Sequence, residues 1–273
     1  NGGFEMIRIS STKRMFSLIM SVFMVISLLP SISLRVYGMS GDGSASSPYL
    51  ITSYGDLEEF ARRVNGGEFT ANARLENDII ANEGTFSVNA DGKVLFNGVD
   101  VSESSLNEWK PIYKYIGTFD GGNHTIKGLY VNSKSDRVGL FGSVGSRGTI
   151  KNVGVIDGYI TSTVTDTGNN TGIIGGVCGE NYGGTIQNCY NTGTVTGINS
   201  VGGVCGLNNK DGTIQNCYNT GSISGSNNVG GVCGDNKGTT QNCYNTGTVS
   251  GTDYVGGVCG YNSATIQTSY NTG

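Results

Sequence analysis

The sequence predicts an all-β fold: a right-handed parallel β-helix of ~26-residue coils with a short N-terminal capping helix. Three observations carry this expectation. First, one phrase recurs four times. Val177-Cys178-Gly179 leads to Thr185 through Gly193, and the pair returns at Val204 and Thr213, at Val232 and Thr239, and at Val258 and Thr265. The leading Cys recurs after 27, 28 and 26 residues, a period at which no single unit can bury its own apolar face. Second, 46 of 273 residues are Gly and only 3 are Pro, among many Asn, Thr and Val, which argues against a helical fold and a disordered chain. Third, a single amphipathic segment precedes the repeats, as a lid on the first coil requires.

The elements follow in chain order. Asn1 to Glu5 read as translated leader, since their codons can spell a ribosome-binding sequence ahead of Met6. Residues 6–38 read as a secretory signal peptide: Lys13-Arg14, an apolar run from Met15 to Leu29, then small residues near Gly38. That run is too short for a comfortable membrane span, so no span is expected after cleavage. Residues 39–72 form an entry segment and the capping helix, placed near 54–64. Ser53 with Asp56 gives the N-terminal cap, and Leu57, Phe60, Ala61 and Val64 give one apolar face. Arg62 and Arg63 suit the C-terminal end of the dipole, and Asn65-Gly66-Gly67 stops the helix.

Residues 73–273 read as β-helix, clearest in 139–273. Short β runs are expected at Leu75–Ile80, Lys93–Val101, Tyr115–Phe119 and Thr125–Val131. Each later unit reads as three strands, opening at Gly-Val-Cys-Gly, at Thr-Ile-Gln-Asn-Cys, and at Thr-Val-Ser or Ser-Ile-Ser. Roughly seven coils at ~4.8 Å would make a rod on the order of 35 Å long. Its core should hold Leu140, Val153, Ile186, Val204, Ile214, Val232, Val258 and Ile266. The chain stops at Gly273 inside a repeat, which reads as truncation, with further repeats or domains following.

The seven cysteines admit three readings. Cys178/Cys189, Cys205/Cys217 and Cys233/Cys243 could each bridge a coil as disulfides, as secreted proteins often do. The equivalent places hold Phe141 and Val153 in an earlier copy, and Cys259 pairs with Ser269 in the last. Positions that accept Phe or Val favour buried free thiols, in two columns: Cys178, Cys205, Cys233 and Cys259, and Cys189, Cys217 and Cys243. A zinc site is the weakest reading, because the spacings are 10 to 12 and the one histidine lies elsewhere.

Asn188, Asn191, Asn216, Asn219, Asn242 and Asn245 recur in phase and read as structural ladders. Tyr190, Tyr218, Tyr244 and Tyr270 each follow the inward Cys (Ser269 in the last copy), so strand alternation turns them outward. They form the candidate binding stripe; stacking among themselves is the structural alternative. Thr194/Thr196, Ser222/Ser224 and Thr248/Ser250 make hydroxyl pairs of the kind that order water, but they drift to Ser between copies. His124 lies in a turn sequence, and Glu180, Asp211, Asp235 and Asp253 are scattered over the coils. No catalytic residue, cofactor site or metal site is read from the sequence. The net charge is −4 for the whole chain, and residues 39–273 hold thirteen basic against twenty acidic residues. Nucleic acid is therefore not an expected partner.

Several phrases resemble bacterial GLUG-motif proteins: Pro48-Tyr49-Leu50-Ile51, Trp109-Lys110-Pro111-Ile112, Gly117 to Gly121, His124 to Leu129, Gly139-Leu140-Phe141-Gly142, and the Gly-Thr-Ile-x-Asn-Val/Cys units. The resemblance spans residues 45–273. It implies a secreted or surface-attached β-solenoid, as in adhesin-like proteins and beside the peptidase domain of immunoglobulin-A-cleaving zinc metallopeptidases. By it the chain is expected to be a non-catalytic stalk or adhesin segment binding a host or cell-surface glycan or protein. The alternative is an accessory region of a larger secreted enzyme. The Cys-rich repeats depart from the family's usual aliphatic version.

Overall fold

The computed structural model describes residues 38–164 and 171–273. The expected leader (1–5) and signal peptide (6–38) lie outside the described residues up to Tyr37. From Gly38 onward the chain forms one compact unit, a parallel β-solenoid. Its longest sheet stacks eight strands, beginning at Tyr49–Ile51 and Ala73–Leu75 and running through Thr118–Asp120, Thr149–Lys151 and Thr185–Gln187 to Thr265–Gln267. A rung therefore already comes from the entry segment. All pairs within this stack are parallel and in register, as in Thr185↔Thr213 and Ile186↔Ile214. Equivalent residues lie 28, then 26, then 26 residues apart in the last coils, and 36 apart between Asn152 and Asn188.

Each complete coil from Thr118 onward carries five short strands rather than three. In one full turn they are Ile173–Gly175, Cys178–Tyr182, Thr185–Gln187, Tyr190–Asn191 and Thr194–Thr196. The expected Thr-Ile-Gln-Asn-Cys strand is cut because Asn188 sits at φ 53, in the left-handed region, and turns the chain between two sheets. Asn216 (φ 54) and Asn242 (φ 52) repeat the corner. Asn tolerates this conformation better than other non-glycine residues, which suits it to this corner, although Thr268 (φ 48) holds it in the last copy.

The capping helix spans Tyr54–Asn65. The Ser53 hydroxyl accepts from the Asp56 N–H at 3.2 Å. Asp56 reaches back one residue beyond the usual capping box, accepting from the Thr52 N–H and hydroxyl. Leu57, Phe60, Ala61 and Val64 are buried. Phe60 packs edge-on to Tyr115 and Tyr49 and against Phe119, so the helix plugs the core as a lid should.

Interior columns run along the rod, mixing aromatic, aliphatic and small residues. Phe119 is followed by Ile150, Ile186, Ile214 and Thr240, and Phe141 by Cys178, Cys205, Cys233 and Cys259. Leu140, Val153, Ile186, Val204, Ile214 and Val232 are fully buried, as expected. Val258 is only half-buried and Ile266 is 37% exposed. Both belong to the final rung, on which nothing stacks among the described residues.

Lys93–Val101 does not form a coil. Phe86–Val88, Val94–Phe96 and Val99–Asp100 make a small antiparallel ribbon outside the solenoid. Likewise the runs at 75–80 and 115–119 break into shorter pieces, with strands at Ile79–Ile80 and Thr118–Asp120.

Candidate functional site

The tyrosine stripe is assembled by the two-residue strands Tyr190–Asn191, Tyr218–Asn219, Tyr244–Asn245 and Tyr270–Asn271. On each strand the Tyr faces out and the Asn faces in. The four rings lie face to face: 4.7 Å and 3° for Tyr190–Tyr218, 4.8 Å and 4° for Tyr218–Tyr244, and 5.2 Å and 7° for Tyr244–Tyr270. This spacing is the coil repeat itself. Tyr190 closes the column at one end by lying over Gly154, where a Cβ would collide with its ring. Tyr190, Tyr218 and Tyr244 are half-buried, and Tyr270 is 55% exposed. Burial raises the phenol pKa of Tyr190, Tyr218 and Tyr244.

The stack therefore presents ring edges and hydroxyls. The flat faces of Tyr218 and Tyr244 are each covered by neighbours, which leaves no face there for a sugar ring to stack on.

Behind the stripe lies its support. Asn191 donates to Asn219 (2.8 Å), Asn219 to Asn245 (2.8 Å) and Asn245 to Asn271 (2.7 Å). Each amide also spans its own turn, as where Asn219 donates to the Gly221 carbonyl and accepts from the Gly221 N–H. Asn191, Asn219 and Asn245 are fully buried. The room comes from glycine, since a Cβ on Gly203 or Gly231 would collide with the Asn219 or Asn245 amide. The second glycine of each Gly-Gly pair is thus a steric requirement of the ladder.

A second buried ladder, Asn181 to Asn208 to Asn236 to Asn262 (2.9, 2.9 and 2.7 Å), was not singled out from the sequence. Neither was the exposed-side ladder through Gln187, Gln215, Gln241 and Gln267. Their signal was the same in-phase recurrence that marked the other Asn residues. The corner ladder of Asn188, Asn216 and Asn242 is present and begins one coil earlier, at Asn152.

All seven cysteines are free thiols in the two expected columns, six buried and Cys259 half-buried. The thiols of Cys189, Cys217 and Cys243 donate to the carbonyls of Gln187, Gln215 and Gln241. Burial pushes the thiols of Cys205, Cys217 and Cys233 well above the usual range, which keeps them protonated and unreactive. No group of three or more potential metal ligands occurs among the described residues.

The remaining residues read from the sequence stand apart from the stripe. His124 sits in its turn, 3.3 Å from Asp78. Glu180 pairs with Arg137 and accepts from Asn209, and Asp235 pairs with Lys237 at 3.0 Å. The hydroxyl pairs lie on the outward side of Val195, Ile223 and Val249. Ser224 donates to Thr196 at 2.9 Å, so part of that hydroxyl array is already bonded to itself.

Stacked coils with in-register Asn, Gln, Cys and Tyr columns define a repeat β-solenoid, and two of its coils match the GLUG motif. The family described as the GLUG motif matches residues 170–196 and 197–224. The chain is similar to halomucin of Haloquadratum walsbyi, 32% identical over 181 residues, covering 61% of this chain and 2% of halomucin. It thus spans a very small part of that relative. A crystal structure of a proposed immunoglobulin A1 protease from Bacteroides ovatus shares the fold. The TM-score is 0.62 at 24% identity, covering 85% of this chain and 69% of that one.

Proposed function

We propose that this chain is a non-catalytic recognition segment of a secreted or cell-surface protein, a stalk or adhesin region of bacterial type. In this reading it docks a protein partner along Tyr190, Tyr218, Tyr244 and Tyr270. The observation that carries the reading is the stacked, outward column with open edges and hydroxyls. A row of phenol edges on an Asn- and Thr-rich surface is an amphipathic contact strip of the kind interfaces use. Because neighbours already cover the inner ring faces, a partner that packs flat along the column fits better than a glycan that stacks on single rings. The resemblance to GLUG-motif proteins supports a surface role. No helix among the described residues is long and apolar enough to cross a membrane.

The test is binding of the purified chain and of a Tyr218→Ala/Tyr244→Ala variant to host cells, to isolated surface proteins and to a glycan array. Protein binding that falls in a variant that stays folded supports the reading. Binding that is unchanged, or confined to glycans, removes it.

The fold shared with a proposed immunoglobulin A1 protease favours a second reading, in which the solenoid is an accessory region of a secreted enzyme. Sequencing the flanking gene separates the two. An HExxH segment encoded downstream would favour the enzyme, and further repeats or a wall anchor would favour the stalk.

A further inference from the structure

The helix end of the rod holds a trough that the tyrosine reading does not use. A hollow of about 570 Å³ lies between the C-terminal end of the capping helix, the loop 108–114 and the strand Tyr130–Ser133. A second hollow of about 430 Å³ continues it and shares Tyr113, Lys114, Lys134 and Ser135. Lys110 and Lys114 stand on the loop bank, and Lys134 stands on the opposite one. All three are exposed, and none takes part in an ion pair among the described residues. Glu108 is the one carboxylate on the first hollow, and Asp136 opens onto the second. Three lysines without an ion-pair partner among the described residues thus line the hollows of a protein whose overall charge is negative.

The loop is held rigidly. Asn65 at the helix end donates to the Pro111 carbonyl (3.1 Å) and accepts from the Tyr113 N–H (2.9 Å). The Tyr113 hydroxyl donates to the Arg137 carbonyl (3.1 Å). Lys114 sits at φ 56, a left-handed conformation costly for a long side chain, and its N–H is fixed to the Ser143 hydroxyl at 2.9 Å. Strain held by several hydrogen bonds marks a loop whose shape is specified, and a preformed loop loses little entropy on binding. Trp109 is buried and donates its indole N–H to the Leu140 carbonyl, so it forms floor rather than a free ring face.

We propose that this trough binds an acidic saccharide, a chain bearing uronic or sialic acid units. Lysine ammonium groups would take the carboxylates, and the Ser133 and Ser135 hydroxyls with the Asn132 amide would meet sugar hydroxyls. Phe69 and Pro111 supply apolar wall for the sugar's C–H edges. The size suits a small-molecule site rather than a flat contact. An acidic peptide is disfavoured as occupant. Glu108 already bridges Tyr130, which leaves only Asn132 and Ser133 as open strand edge, too little for strand addition.

This site is independent of the tyrosine column, and its failure leaves that reading intact. The experiment is calorimetric titration of the purified chain with trigalacturonic acid, maltotriose and hexaglutamate at low salt. Trigalacturonate should bind and maltotriose should not, with affinity falling as salt rises. Lys114→Asn, which keeps a residue tolerant of the left-handed backbone, and Lys134→Gln should each weaken binding about tenfold, equivalent to about 1.4 kcal/mol. Neither should lower the thermal midpoint, and Lys134→Arg should retain binding. Equal affinity for the neutral trisaccharide, no binding of trigalacturonate, or no effect of either folded variant would overturn the proposal. Tighter binding of hexaglutamate would replace the saccharide with a peptide.

Discussion

Two outward tyrosine columns can be compared within this one rod. Tyr130 and Tyr159 stack in register on one sheet and are only 7% and 6% exposed. The antiparallel ribbon covers them: Phe86 lies nearly parallel to Tyr130 (5.6 Å, 13°) and packs against Tyr159 at 6.0 Å. Tyr190, Tyr218, Tyr244 and Tyr270 stand on the neighbouring sheet with no such cover, and only their own stacking hides their faces. The chain thus spends an insertion on sealing one aromatic column while the repeats rebuild the other coil after coil. The comparison teaches that an outward Tyr in this fold is a wall waiting for a partner. In the first column that partner is part of the same chain.

The comparison can be broken from behind, and there the effect should be largest. Asn219→Leu removes the central amide of the ladder that holds the open column, stripping buried partners from Asn191 and Asn245. Unsatisfied buried polar groups cost about 1–3 kcal/mol each, so a loss of about 3 kcal/mol is expected, read as a lower urea midpoint. A shift below about 1 kcal/mol would show that the ladder is incidental to stability.

Phe86→Ala should convert the covered column into an open one. The ring is half-buried, so a loss of about 2 kcal/mol is expected, below the range for a fully buried Phe. Nitration at Tyr130 and Tyr159 should rise towards that of Tyr218. An unchanged nitration pattern would mean that the ribbon does not act as the seal.

Tyr218→Ala interrupts the open stack at one rung. Two stacking contacts are lost, at about 0.5–1.5 kcal/mol each. Solvation of the freed edges offsets part of this, so about 1 kcal/mol is expected, with a clear loss of near-ultraviolet circular dichroism. A collapse of the fold would assign the column a purely structural role.

The smallest effect concerns pH. Burial raises the phenol pKa in both columns, at Tyr130, Tyr159, Tyr190, Tyr218 and Tyr244. The unfolded chain then loses these protons first. The associated stability is complete below the ordinary Tyr value of about 10 and is lost as pH rises through the raised folded values. Absorbance titration should show the sealed pair ionising after the open column. The reverse order would contradict the difference in burial.

Much of this was legible in the residues. A period near 27 with in-phase Cys, Asn and Tyr requires stacked coils, because equivalent residues can meet only if each turn returns to the same place. The helix was legible from Ser53, Asp56 and its apolar face. The free thiols were foreshadowed by Phe141 and Val153 at equivalent positions. Five strands per coil were not legible, since the corner depends on Asn188 adopting a left-handed conformation, and composition does not reveal a dihedral angle. Nor was the trough, whose lysines look scattered at 110, 114 and 134 until the helix end and the loop are tied by Asn65.

The sequence by itself determined the repeat, the inward and outward sides of each strand, and the columns that run along the rod. These are local and periodic properties, fixed by alternation and by the demand that stacked units share one core. Only the tertiary structure decided which columns are covered and which stand open, because that depends on where the irregular segments come to rest. The 86–100 ribbon seals Tyr130 and Tyr159 through contacts about 44 to 73 residues apart along the chain. No periodicity encodes such contacts, because they are made once.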